Sequence, residues 1–438
     1  MSDSTVNNGE YDYGLKGLPT KTFTIADVIL FTGTTSISSA YVTVADGLIS
    51  SFGRLPVPPT GPSPVIYKPG HTILPGFVDA HIHADKGQTL ALTQSLLFGV
   101  TTVMDMHNDT PNVAKLKSFA KENISTSADI KMAGAAATID GGWPAPVVTA
   151  HDKSEETLAE VAAWPKLTSP SSATAYVDHN INNVGADYIK LMHESGKSLA
   201  LPFSIPKPSL AIQDSVIKTT HSLNRKAVAH ATTLKDTLEI LDLGVDGLTH
   251  IFFDEPCSDE VVEKLKQVGT WVGPTLAVAG SLTGEGRDAQ RKYADDDRVV
   301  GKLTEWGREN LRGCLGMARE GLSARTAYET VRRLKKEGVN VVVGSDSAGP
   351  GLGTAWGLSF HHELALLVRE CGFTPVEALH AGTALTAELF GWSDRGSIAE
   401  GLKADLVLVE GNPLEDIDAT LNLRGVWRDG VLARAYQV

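Results

Sequence analysis

Short apolar segments rich in β-branched residues alternate with longer amphipathic segments from about residue 72 to residue 390. Eight of the short segments predict strands: 73–83, 99–106, 128–137, 186–192, 226–231, 246–252, 269–275 and 339–346. Parallel strands need crossover connections, usually helices, and eight such strands can close a sheet on itself. The pattern therefore predicts an α/β fold in which residues 72–390 form a TIM-like (β/α)8 barrel.

Several amphipathic segments begin at a residue that typically caps a helix. Ser154, Ser209, Thr233 and Ser258 each precede a stretch with helical spacing of apolar residues. A hydroxyl oxygen at this position accepts a hydrogen bond from a free backbone N–H group of the first turn. These residues therefore predict where four helices begin.

Both ends of the chain differ from this alternating region. Residues 1–22 are polar and predict an N-terminal tail, and the segment VPPTGPSP at 57–64 predicts a loop. The remaining parts contain short strand patterns, with Asp429-Gly430 typical of a hairpin turn. Neither end can bury a core alone. We therefore predict one small composite β-sandwich domain built from residues 23–71 and 391–438.

Charge and composition argue against several classes of protein. The chain has 52 Asp and Glu against 39 Lys and Arg, a net charge of -13, and it contains no basic run that would bind nucleic acid. It has no apolar run of about 18 residues, so we expect no membrane span. The 3 cysteines are far apart and form no CxxC pair, as expected in a reducing compartment. We therefore expect a cytoplasmic protein.

Chemically reactive side chains follow the predicted strands at their carboxyl ends, where barrel enzymes place their active sites. Six residues make up this set: His81, His83, Lys190, His230, His250 and Asp346. Taken singly, a buried histidine, an ion-paired lysine and a helix-capping aspartate are the ordinary alternatives. Together, at one end of a ring of strands, the six predict a metal site.

The first-strand pair and the lysine suggest how such a site is built. His81 and His83 are two residues apart in VDAHIH, so in an extended strand both imidazoles point to the same side. Lys190 stands between Ile189 and Leu191, where burial lowers the pKa of an amine. A neutral amine can take up carbon dioxide as a carbamate, which would provide a bridging carboxylate.

With a carbamate on Lys190, the six residues can hold two divalent ions about 3.5–4 Å apart. We expect the first-strand histidines and Asp346 to bind one ion, His230 and His250 the other, and Lys190 both. Two such ions lower the pKa of a bridging water and polarise a carbonyl group, and Asp346 can pass the proton to the leaving atom. Asp346 and Lys190 are thus the expected catalytic residues in hydrolysis of an amide, cyclic amide, lactone or related bond.

The same residues lie within longer motifs: PGFVDAHIH, GVTTVMD, GADYIKLM, GSDS, ELALLVRECGFTPVEALHAGT and GSIAEGLKADLVLVEGNPLEDI. Through these motifs, over about residues 24–436, the sequence resembles the amidohydrolase superfamily. Within it the chain is similar to the metal-dependent branch of imidazolonepropionase-like proteins, Xaa-Pro dipeptidases and ochratoxinase. The resemblance implies a distorted (β/α)8 barrel with a composite β-sandwich, two zinc-like ions, a carboxylated Lys190 and assembly into a homo-oligomer.

The resemblance implies a hydrolase that cleaves an amide C–N bond of a small molecule, such as an N-acyl amino acid, a dipeptide or a cyclic amide. Two positions depart from dipeptidase-like relatives. Ala231 and Thr232 stand where many relatives have a second His or Tyr, and the sequence HESG at 193–196 replaces a small Gly-rich turn. The candidates for substrate contact lie in loops that follow strands: Lys86, His107, Trp143, His193, Glu194 and Trp356. Each has an ordinary alternative as a loop or packing residue.

Three other functions stay open. The first is a lactone or ester hydrolase that uses the same site. The second is a mononuclear deaminase of the same superfamily, although HATTLKD contains no Glu shortly after His230. The third is a non-catalytic scaffold, which the presence of all six site residues disfavours. Metal content separates the binuclear hydrolase, the deaminase and the scaffold, with about two, one and no ions per chain.

Overall fold

The computed structural model describes residue 15, residues 21–58 and residues 63–437. The predicted tail at 1–22 lies mostly outside these residues, as does the centre of the predicted loop at 57–64. The described residues alternate strands with helices, and this confirms the predicted α/β class.

The strands are β1 (Phe23–Phe31), β2 (Ser36–Ala45), β3 (Leu48–Arg54), β4 (Val65–Tyr67), β5 (His71–Pro75), β6 (Phe77–Ile82), β7 (Val100–Asp105), β8 (Asp129–Met132), β9 (Ile189–Met192), β10 (Ala227–His230), β11 (Gly247–Leu248), β12 (Trp271–Val272), β13 (Leu406–Glu410), β14 (Leu423–Arg428) and β15 (Val431–Leu432). The α-helices are α1 (Leu90–Leu97), α2 (Thr110–Glu122), α3 (Ala145–His151), α4 (Glu155–Ala163), α5 (Pro170–His179), α6 (Leu210–Ser222), α7 (Leu234–Leu241), α8 (Asp259–Val268), α9 (Leu276–Thr283), α10 (Arg287–Ala294), α11 (Glu305–Arg312), α12 (Ala324–Lys336), α13 (Leu358–Arg369), α14 (Pro375–Ala381) and α15 (Ala384–Leu389). Short 3-10 turns occupy Asp85–Gly87, Asp297–Val299, Ile417–Leu421 and Arg434–Tyr436, and a π-helical turn occupies Asn180–Val184.

The predicted helix starts of α4, α6, α7 and α8 are confirmed. The side-chain oxygens of Ser154, Ser209, Thr233 and Ser258 each accept a hydrogen bond from the backbone N–H group three residues further on. This bond pairs a donor that the helix itself leaves free. In the described part of the chain, no helix is both long enough and apolar enough to cross a membrane.

The central strands pair in parallel. One sheet has the order β6-β7-β8 and another has the order β12-β11-β10-β9. Isolated parallel bridges join Ala137 to Leu191, Val341 to Val272 and Ser347 to Ile82. The pairing therefore runs from β6 through β12 to the segment 341–347 and back to β6.

Two predicted strands differ in detail from the structure. The segment 73–83 is divided at Gly76, so that β5 and β6 belong to different sheets. The segment 339–346 is joined to its neighbours by isolated bridges and single backbone hydrogen bonds rather than by a regular ladder. Its last residue, Asp346, has a φ of 49°, a left-handed conformation that ends an extended strand.

A third sheet contains strands from both ends of the chain. Its order is β15-β14-β13-β5-β1-β2-β3, and β4 pairs in parallel with β1. β5 pairs with β13 in antiparallel register, from Pro75 opposite Leu406 to His71 opposite Glu410. Phe23 of β1 stacks on Trp427 of β14, with ring centroids 5.6 Å apart. The two ends of the chain therefore share one apolar core, in which Leu15 is also buried.

We expect Gly76→Ala to destabilise this junction. A Cβ atom at residue 76 would lie 2.2 Å from Oγ1 and 2.6 Å from Cγ2 of Thr101, so β6 or β7 would have to move. Overpacking of this kind costs about 1–3 kcal/mol, which thermal unfolding would report as a lower Tm. The matched control is Gly273→Ala, whose Cβ would meet Val342 at an ordinary 3.4 Å. Equal Tm values for the two variants would contradict the expectation.

Candidate functional site

Three of the predicted residues meet where the segment 341–347 lies beside β6. Nε2 of His81 and Nε2 of His83 lie 3.2 and 3.3 Å from Oδ1 of Asp346, and the two nitrogens are 3.3 Å apart. Burial raises the pKa of Asp346, but the adjacent imidazole of His81 and the hydrogen bond and charge of His83 lower it well below its ordinary value. The same contact raises the pKa of His83 to about 9 against the opposing effect of burial. An ionised aspartate thus faces two imidazole nitrogens.

His230, the last residue of β10, and His250, which follows β11, complete a row of rings. The ring centroids of His230 and His250 are 4.3 Å apart, and those of His250 and His81 are 4.9 Å apart. Nδ1 of His250 lies 3.9 Å from Oδ2 of Asp346. Burial lowers the pKa values of His230 and His250, so both rings are neutral at pH 7 and have a nitrogen lone pair available.

Lys190 on β9 is fully buried in the same cluster. Burial lowers the pKa of its amine to about 7, and the charge of Asp346 only partly opposes this effect. Nζ donates a hydrogen bond to Oγ1 of Thr249. The expectation that burial makes this amine partly neutral at neutral pH therefore agrees with its surroundings.

Contacts on the far side of each ring determine which nitrogen faces the cluster. Nδ1 of His81 lies 3.0 Å from the carbonyl oxygen of Thr249, which can only accept, so Nδ1 is the protonated nitrogen and Nε2 is free to bind a cation. Nε2 of His230 lies 3.1 Å from the carboxylate of Glu194 and donates to it, which leaves Nδ1 free. Metal-binding histidines commonly donate their second N–H group in this way.

The donor set fits a divalent cation. Nitrogen and carboxylate oxygen are usual ligands of zinc and related ions. One ligand atom each from His81, His250 and Asp346 lie within 4.8 Å of one another. Nε2 of His81 and Nε2 of His83 lie 3.3 Å apart beside the carboxylate of Asp346, so one cation bound there could replace the proton on His83 and contact all three groups.

Two buried aspartates, Asp79 and Asp105, bind backbone groups next to the cluster. Neither was predicted from the sequence as a site residue. Oδ1 of Asp79 accepts hydrogen bonds from the backbone N–H groups of Ser345 and His81, and Oδ2 accepts one from the hydroxyl of Ser345. Asp105 accepts three hydrogen bonds, from the backbone N–H groups of Ala84 and His107 and from the amide of Asn108. Both could have been recognised in the sequence, because each is the only acidic residue of a largely apolar strand.

The predicted substrate residues separate into two groups. Glu194 is buried beside His230, the ring of Trp143 lies 5.0 Å from that of His230, and Nε1 of Trp356 donates to the carbonyl oxygen of His83. His107 is buried nearby, with its ring 4.6 Å from that of Trp164. These four residues therefore lie at or next to the histidine cluster.

The other two predicted substrate residues have different surroundings. Lys86 is 41% exposed and lies 3.8 Å from Asp152 and 4.0 Å from Glu156. His193 is buried, but its Nε2 lies 3.0 Å from Glu239, which also binds Lys207. Lys86 has no described hydrogen bond or ion pair to the six clustered residues. His193 reaches them only through its backbone N–H, which donates to the carbonyl oxygen of His230 at 3.0 Å.

These features define an α/β protein with a cluster of histidine, lysine and aspartate side chains at the ends of parallel strands. The sequence model of the amidohydrolase family matches residues 72–433, and the chain belongs to this family. The resemblance noted from the motifs is thereby confirmed.

Individual relatives match less of the chain. It is 40% identical to an imidazolonepropionase of Deinococcus deserti over 102 residues, which are 23% of this chain and 25% of that protein. It is 28% identical to an adenine deaminase 2 of Desulfotalea psychrophila over 319 residues, 67% of this chain and 50% of that protein. The chain thus spans a quarter to a half of the length of these curated relatives. A solved Xaa-Pro dipeptidase structure with bound methionine has a TM-score of 0.73 and 21% identity over 94% of this chain and 99% of that one, a likeness in fold.

We expect Asp105→Ala to unfold at a markedly lower temperature than the wild type. The change leaves three buried donors without their acceptor, and each unsatisfied buried group costs about 1–3 kcal/mol. Asp105→Asn retains one acceptor oxygen, so its Tm should lie between those of the wild type and Asp105→Ala. Asp140→Ala is the control, since Asp140 is 82% exposed and has only a surface ion pair with Lys166. A Tm for Asp105→Ala within 1 °C of the control value would be inconsistent with this support.

Proposed function

We propose that this chain is a metal-dependent amidohydrolase that cleaves a C–N bond of a small molecule. The observation that supports this most strongly is the convergence of imidazole nitrogens, an ionised aspartate and a buried amine at the ends of parallel strands. Membership of the amidohydrolase family agrees with it. N-acyl amino acids, dipeptides and cyclic amides are the substrate classes to test first.

The proposal includes the architecture around the site. We propose that residues 72–390 form a (β/α)8 barrel, because strand pairing continues from β6 to β12 and through residues 341–347 back to β6. The composite β-sandwich of residues 23–71 and 391–438 is supported by the sheet that joins β1–β5 to β13–β15. In such a barrel the carboxyl ends of the strands surround one open face, where substrate enters.

We propose that the six residues hold two divalent ions, zinc or a related metal. His81, His83 and Asp346 would hold one ion, and the histidines of β10 and of the residues after β11 would hold the other. Lys190 would contact both after its neutral amine adds to carbon dioxide and releases a proton. Ions bound there provide a water of lowered pKa and polarise the substrate carbonyl.

Asp346 is the proposed proton carrier. Its carboxylate lies within 3.3 Å of His81 and His83 and is ionised at neutral pH, so it can accept a proton at an oxygen that faces the cluster. Donation of that proton to the leaving nitrogen converts a poor leaving group into an amine. The backbone N–H of Asp346 donates to the carbonyl oxygen of His81 at 2.7 Å, which holds the carboxylate at this position.

Glu194 is the proposed positioning residue for His230. Its Oε2 lies 3.1 Å from Nε2 of His230 and accepts from the hydroxyl of Thr232 at 2.6 Å, while Oε1 accepts from the backbone of Gly196 at 2.6 Å. Both carboxylate oxygens are therefore occupied by protein donors. This arrangement favours a role in orienting the imidazole over the substrate contact suggested by sequence.

The adenine deaminase relative makes a mononuclear deaminase the second candidate. Deamination at one ion would leave the buried Lys190 without a chemical role, whereas the binuclear proposal uses its neutral amine. A lactone or ester hydrolase would use the same residues as the amidohydrolase, so only substrate tests separate those two. A scaffold would need none of the buried ionisable groups, which are costly to desolvate.

Metal analysis of the purified protein tests the proposal directly. We expect about two equivalents per chain, and chelator-sensitive hydrolysis of at least one class among N-acyl amino acids, dipeptides, cyclic amides and lactones. Lys190→Ala should lose bound metal and hydrolysis together. Lys218→Ala, which removes an exposed lysine that forms a surface ion pair with Asp214, should retain both. One equivalent in the wild type, or unchanged metal content in Lys190→Ala, would favour the deaminase.

A second experiment tests whether Glu194 orients His230 or contacts the substrate. We expect Glu194→Gln to weaken metal binding at the His230 ion by about 10–100-fold, because loss of an acceptor for a histidine N–H group weakens metal sites by that factor. Metal titration with an indicator chelator measures this without substrate. Glu239→Gln is the matched control, since Glu239 lies 3.0 Å from Nε2 of His193 outside the cluster. A raised KM with unaltered metal affinity in Glu194→Gln would instead indicate substrate contact.

A further inference from the structure

A cavity of about 500 Å³ lies beside α1. Its walls come from α1, the turn at Ser125 and Thr126, residues 302–304 and the C-terminal segment 433–437. None of the six residues proposed to hold metal lines this cavity. Leucines of α1 and alanines of the C-terminal segment make much of the wall apolar, and a volume of this size accommodates a small organic molecule.

The cavity contains a cation that the described residues do not neutralise. Nζ of Lys302 lies 5.8 Å from the ring centroid of Phe98 and 5.9 Å from that of Tyr436, and no described hydrogen bond or ion pair reaches it. Burial, with the charges of Arg424 and Arg298, lowers the pKa of this amine to about 8. It is therefore still mostly protonated at pH 7.

We propose that this cavity is a second binding site, for a small amphiphilic carboxylate. The carboxylate would pair with Lys302, and the apolar body would lie against the leucines of α1. Exposed Arg434 at the rim adds a second positive charge at the entrance. A single buried cation among apolar side chains matches a monoanion better than a phosphate, which binds to several donors.

Indole-3-propionate is the probe, because it combines a carboxylate with an apolar ring system. Isothermal titration of the full chain should give saturable binding with a Kd of roughly 1 mM or tighter for a ligand of this size. Indole-3-propionamide should bind at least tenfold more weakly, because it lacks the charge. This comparison changes only the ligand.

Protein variants locate the binding. Lys302→Met should weaken indole-3-propionate at least tenfold, as expected for loss of a charged hydrogen bond. Lys218→Met is the control, because Lys218 is 73% exposed and pairs with Asp214 on α6. Equal affinity of wild type and Lys302→Met, or of the acid and its amide, would overturn the proposal. Binding that is lost in Lys190→Ala but retained in Lys302→Met would place the probe in the proposed metal site and would also overturn it.

Discussion

Backbone hydrogen bonds between β6 and the segment 341–347 determine the geometry of the whole site. The N–H of Ala80 donates to Val343, that of Asp346 donates to His81, and that of His83 donates to Ser347. This register places one carboxylate opposite two imidazoles. A shift of one residue would turn the side chains to the other face, since side chains alternate along a strand. The other residues of the cluster lie on, or directly after, strands that pair with one another further around the sheet.

The sequence was sufficient to predict which residues come together, because a simple geometric rule determines their positions. Side chains at the carboxyl ends of parallel strands share one face, and a two-residue spacing puts His81 and His83 on the same side. The local patterns could not tell Glu194 from its neighbour His193, although the side chain of Glu194 contacts His230 and that of His193 contacts Glu239. That difference depends on where the chain turns after β9. Long-range packing determines such a turn.

The break between β5 and β6 was not predicted, although Pro75-Gly76 is a dipeptide that commonly interrupts a strand. It arises from close approach of Thr101 at Gly76, a contact between residues far apart in the sequence. The supporting aspartates were readable as lone acids in apolar strands, but their partners were not. Asp79 binds Ser345, 266 residues away along the chain. Local sequence thus indicates which residues are unusual, whereas tertiary contacts decide what they do.

The sheet that joins both ends of the chain has a consequence for folding during synthesis. The hydroxyl of Thr72 donates to the carbonyl oxygen of Gly411, a contact that spans 339 residues. β5 is synthesised long before its partner β13, so the edge of β5 that pairs with β13 stays unpaired while the central strands are synthesised. The free backbone groups of an unpaired edge can form hydrogen bonds with other chains and cause aggregation. Rapid folding of the intervening region would therefore protect the nascent chain by bringing the late strands directly to that edge.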